Sequence, residues 1–135
     1  MKLLLLLTGL LTMLAGSGCV PKTETPIPYL KYSNPSAAQA DRKLLIMLRG
    51  IGGDHQIFEE KGLVQDIIDR RLPFDIIAPA AHFGYYREES LGARLYEDII
   101  RPAKAAGYSE IWLAGTSMGG LGAILYLIDY SETVD

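Results

Sequence analysis

The sequence predicts an α/β fold of three layers, with helices on both faces of a parallel sheet. Three runs, apolar but for Asp75 and Glu110, point to it: Leu44-Leu45-Ile46-Met47-Leu48, Asp75-Ile76-Ile77-Ala78 and Glu110-Ile111-Trp112-Leu113-Ala114. Each is short, and each is followed closely by glycine or proline. Continuous apolar runs of this length are the habit of strands covered on both faces, as in parallel sheets. Between the runs lie stretches of helical periodicity, and parallel neighbours need such crossovers.

The elements follow in order. Lys2 precedes Leu3-Leu4-Leu5-Leu6-Leu7, apolar character continues to Leu14, and Ala15-Gly16-Ser17-Gly18-Cys19 are small residues. An apolar stretch of about a dozen residues is too short to span a bilayer and suits a signal peptide, here residues 1–18. Cys19 is the one cysteine, so no intramolecular disulfide is expected. Residues 19–42 hold Pro21, Pro26, Pro28 and Pro35 among polar residues. They read as a semi-extended tether, with room for an edge strand at Tyr29–Tyr32.

The domain is expected over 43–135. After the first strand comes Arg49-Gly50-Ile51-Gly52-Gly53, then Asp54 as a helix cap. Ile57, Phe58, Val64, Ile67, Ile68 and Leu72 mark a helix over 56–71, weakest at Gly62. Pro73 and Phe74 open the second strand, and Pro79 closes it. Residues 80–86 read as a loop. Leu91, Leu95, Ile99 and Ile100 predict a helix over 88–101, disturbed at Pro102 and stopped by Gly107. The third strand leads into Gly115-Thr116-Ser117-Met118-Gly119-Gly120, and Leu121–Ile128, apolar on most sides, predicts a buried helix.

Composition bounds the function. The 135 residues are 49% hydrophobic and 21% charged, with formal net charge −3. Removing residues 1–18 takes away Lys2 and no acid, leaving twelve bases against sixteen acids. No basic block exists, so nucleic acid is not an expected partner. No Lys-Ser or Lys-Thr follows the glycines at 50–53, which excludes a P-loop. No metal and no cofactor is expected.

Gly-x-Ser-x-Gly at 115–119 is the informative motif. A serine hydroxyl reacts only if it is exposed, served by a base and flanked by donors for the developing oxyanion. A sharp strand-to-helix turn lifts the serine above the sheet and aims amides of the helix start at the reacting centre. The turn is so tight that Gly115 and Gly119 must be small. The plain alternative is a glycine-rich turn with a capping serine.

Over residues 43–130 the chain resembles the N-terminal half of α/β-hydrolase-fold serine hydrolases of the esterase/lipase kind. The resemblance implies Ser117 as nucleophile and the Met118 N–H as one oxyanion donor. It implies a second donor from the loop at 49–53, for which Ile51 is the candidate; Arg49 stands where the family carries histidine. His82, Tyr85 and Tyr86, with Phe83, either line a substrate pocket or cover the sheet edge. The family places an acid and then a histidine after the serine. Here His55 and His82 both precede Ser117, and Asp129, Glu132 and Asp135 are the only later acids. The chain is therefore expected to be an N-terminal portion, truncated after the elbow helix and lacking the triad acid and histidine.

Gly16-Ser17-Gly18-Cys19 resembles a bacterial lipobox, although Gly16 stands where leucine is usual. That resemblance implies lipidation at Cys19 and a place in the bacterial cell envelope, with Val20 favouring the outer membrane. A cleaved signal leaving a free thiol is the alternative. The expected function is an envelope lipoprotein related to serine hydrolases, acting on an ester, thioester or lipid-like acyl substrate. The alternative is a non-catalytic surface lipoprotein that binds an apolar ligand or partner.

Overall fold

The computed structural model describes residues 20–36 and 41–135. The signal-peptide reading of 1–18 and the lipidation of Cys19 lie outside them. No helix among the described residues is long and apolar enough to cross a membrane.

The fold is mixed α/β. Four strands form one sheet: β1 (Tyr29–Tyr32), β2 (Lys43–Leu48), β3 (Phe74–Pro79) and β4 (Glu110–Gly115), in the order β1-β3-β2-β4. β2 runs parallel to both β3 and β4, and β1 runs antiparallel to β3. The sheet is thus mixed, where an all-parallel sheet was expected. The added strand comes from the segment read as a tether. Its prolines do not prevent this, because β1 is an edge strand and lies between Pro28 and Pro35. Ile27 is 1% exposed, its N–H donates to Asp98, and Asn34 is buried as well, so residues 27–34 belong to the folded body.

Period-2 alternation sends β2 side chains into two cores. Leu44, Ile46 and Leu48 pack with Leu91, Leu95, Ile99, Ile100 and Tyr126 on one face. Met47 packs with Phe58, Val64 and Ile67 on the other. Each such fully buried aliphatic side chain stabilises the fold by about 1.5–3 kcal/mol.

The expected helix over 56–71 is two short helices, α1 (Ile57–Glu60) and α2 (Leu63–Asp69). The break falls at Gly62, whose φ of 77° is left-handed. Asp54 accepts from the Gln56 N–H, so it tightens the turn before α1 without being its cap residue. The expected loop at 80–86 contains α3 (Phe83–Arg87), started by the His82 side chain. The helix expected over 88–101 begins as α4 (Leu91–Leu95), widens to a π turn over Tyr96–Ile100, and continues as α5 (Arg101–Ala105). In an α-helix the Pro102 ring would meet the carbonyl four residues back, and the wider turn carries the chain past it. The helix stops beside Gly107, at φ 82°.

α6 (Met118–Tyr130) was expected to be buried, and half of it is not. Gly119, Gly122 and Tyr126 form the covered stripe. Leu121, Ile124, Leu125, Leu127 and Ile128 are 45–71% exposed. α6 sits over β4, and β4 is the edge of the sheet, so no described element reaches the outer side of the helix.

Candidate active site

The register of the sheet locates the crevice. Leu48 and Gly115 are partners at the carboxyl ends of β2 and β4. From there the chain leaves β2 toward α1 on one face and β4 toward α6 on the other. Ligands of open α/β sheets bind at such a divergence.

Ser117 stands on this edge. It is exposed, the last residue before α6, with φ 51° and ψ −122°. A serine rarely adopts this backbone; holding it there costs about 1–3 kcal/mol, and such strain clusters at functional sites. Its hydroxyl does not cap the helix. The strain is imposed by the packing of the flanking glycines. A Cβ on Gly115 would lie 2.3 Å from the carbonyl group of Gly119. A Cβ on Gly119 would lie 2.0 Å from the Leu48 carbonyl oxygen. The first turn of α6 therefore rests directly on the end of β2.

The loop after β2 lies against the serine. A Cβ on Gly50 would be 3.5 Å from the Thr116 carbonyl oxygen and 3.6 Å from the Ser117 Cβ. Among the described residues, the N–H groups of Ile51 and Met118 have no hydrogen-bond acceptor. Two unspent amide donors thus belong to the two segments that meet at Ser117. Arg49 shapes the loop, donating from Nη1 to the carbonyls of Gly50, at 3.2 Å, and Gly53. That brace was not read from the sequence, where Arg49 was only an odd residue in the place of histidine.

The three aromatic candidates separate. Tyr86 donates its hydroxyl to the Met118 carbonyl at 2.9 Å, so it buttresses the turn carrying Ser117. Burial raises its pKa. Tyr85 is fully buried, and its hydroxyl exchanges hydrogen bonds with the backbone of Glu24. His82 accepts from the Gly84 N–H through Nδ1 at 3.1 Å and tilts against the Tyr85 ring. Burial, then the positive charge of Arg49, push its pKa down. Tyr85 and Tyr86 line a groove between α4 and α6; none of His82, Tyr85 and Tyr86 lines the cleft beside the 49–53 loop.

Neither His55 nor His82 hydrogen-bonds to the Ser117 hydroxyl among the described residues. The later acids lie elsewhere. Asp135 pairs with Ile111, accepting from its N–H and donating to its carbonyl, at the amino end of β4. Asp129 is exposed near the end of α6. Among the described residues the one buried carboxylate, Asp75, is held by Asn34, Arg42 and Tyr108 at the amino ends of the strands, away from Ser117.

No protein-family model matches this chain, and no curated protein matches it.

Proposed function

We propose that Ser117 is the nucleophile of an acyl-transfer site of the esterase/lipase-like α/β-hydrolase type. We further propose that the chain is an envelope lipoprotein anchored through Cys19. The observation that carries the catalytic reading is the strained backbone of Ser117 between a strand and a helix, locked by the contacts of Gly115 and Gly119. In the reaction, Ser117 Oγ attacks the acyl carbon and its proton passes to a base. The oxyanion is met by the N–H groups of Met118 and Ile51, and the leaving group departs with a proton. Nucleophile and donors come from this chain. The base does not come from its described residues.

A prediction follows from that division. The chain alone hydrolyses a p-nitrophenyl ester no faster than its Ser117→Ala variant, measured by nitrophenolate release. Added imidazole, acting as the base, raises the rate of the parent above that of Ser117→Ala in the same buffer. Ser117-dependent turnover without imidazole removes the missing-base claim; no Ser117-dependent turnover in either condition removes the nucleophile claim.

A second reading, non-catalytic binding of an apolar ligand or partner, has one observation in its favour: the exposed apolar side of α6, with Ile124 at 61% and Ile128 at 71% exposure.

A further inference from the structure

Beside the serine lies an open cleft of about 460 Å³, lined by the 49–53 loop, Ile57, Phe58, Lys61, Leu63 and Thr116. Its volume lies toward the small end of the range for small-molecule sites, roughly 300–1,000 Å³. Ile51, Ile57, Phe58 and Leu63 make most of the wall apolar. The charged residues on it are both cations, Arg49 and Lys61, in a chain where acids outnumber bases. Among the described residues neither forms a salt bridge. Arg49 donates from Nη1 to backbone carbonyls and its buried Nε has no partner among the described residues, so no carboxylate neutralises its charge. Three acids adjoin the lining in sequence, Asp54, Glu59 and Glu60, and none is part of it; Asp54 accepts from the Gln56 N–H and Glu59 from the Tyr32 hydroxyl.

We propose that this cleft selects acyl substrates bearing an anionic group on a short apolar chain. The chain lies along Ile57, Phe58 and Leu63, and the anion faces Lys61, with the field of Arg49 behind the loop adding to the attraction. Thr116 and Gly50 bring the other end of the cleft to Ser117. The assignment of this ligand as a substrate rests on the proposed role of Ser117; its binding does not.

The test is a titration of the full ¹⁵N-labelled chain with hexyl phosphate, hexanol and inorganic phosphate, followed by amide NMR shifts. Hexyl phosphate is expected to give saturating shifts at Gly50, Gly52, Gly53 and Lys61, and to bind about tenfold or more tighter than either fragment. Lys61→Glu removes the preference over hexanol, and Lys61→Arg keeps it. Ser117→Ala binds as the parent does, so failure of the nucleophile reading leaves this result standing. Equal affinity for hexanol, shifts confined to the groove around Leu125 and Tyr126, or an unchanged preference in Lys61→Glu each overturn the proposal.

Discussion

Gly119→Ala is expected to destabilise the protein by about 4 kcal/mol or more, read as a fall in the urea midpoint. The added carbon would sit 2.0 Å from the Leu48 carbonyl oxygen, 2.5 Å from its carbon and 2.7 Å from the Arg49 carbonyl oxygen. A Cβ has no rotamer with which to escape, and all three atoms are backbone. Relief requires α6 to lift off the end of β2, which separates Ser117 from the loop at 49–53. Gly120→Ala is the control. There the nearest atom outside the helix is the Gly115 carbonyl oxygen at 3.4 Å, and replacing a helical glycine by alanine gains up to about 1 kcal/mol. Equal midpoints for the two variants would mean that α6 does not pack on β2 as described.

Asp75→Ala is expected to cost about 3 kcal/mol in the same measurement. The carboxylate is 1% exposed. It accepts from the Asn34 N–H at 2.8 Å, from the Tyr108 hydroxyl at 2.6 Å, and from Arg42. Truncation leaves the buried Asn34 amide without its acceptor, and Arg42 loses its counter-ion. Asp75→Asn loses less, because an amide oxygen still accepts from Asn34. The cluster also makes stability depend on pH. Burial by itself raises the Asp75 pKa; the hydrogen bonds from Tyr108 and Asn34, with Arg42, outweigh it and hold the group below its ordinary value. The folded state therefore binds fewer protons than the unfolded chain between the two pKa values. The contribution of Asp75 is complete above the unfolded carboxylate pKa of about 4 and is lost as pH falls through the folded value. Urea midpoints of the parent should drop on acidification below about pH 4, and those of Asp75→Asn should drop less.

The strands of the parallel part were legible because Leu44–Leu48, Asp75–Ala78 and Glu110–Ala114 are short runs, apolar but for Asp75 and Glu110. Their bounds differ from the observed strands by one residue at most. The Gly-x-Ser-x-Gly turn was legible because its residue types follow from its geometry, and Ser117 falls at the strand-to-helix junction. Other features depend on contacts distant in sequence. Asp75 stood near the start of the second strand, and nothing local announces its bonds to residues 34, 42 and 108. Tyr86 and Tyr85 are adjacent and chemically identical, yet one buttresses the turn carrying Ser117 and the other locks onto Glu24. The π turn was hidden because its residues keep helical spacing, with only Pro102 as a signal. The exposed side of α6 was misread because an all-round apolar helix predicts burial, whereas burial depends on the neighbours beyond β4.

The central claim is geometric: folding places the Ser117 hydroxyl, free and strained, beside the amides of residues 51 and 118. Its most direct test is the rate at which a fluorophosphonate modifies Ser117, located by peptide mass spectrometry, with imidazole as the base. Labelling is expected at Ser117, at least tenfold faster in the folded chain than in urea, since oriented amides contribute only when folded. Labelling at the same rate in both states, or at other serines instead of Ser117, would contradict it.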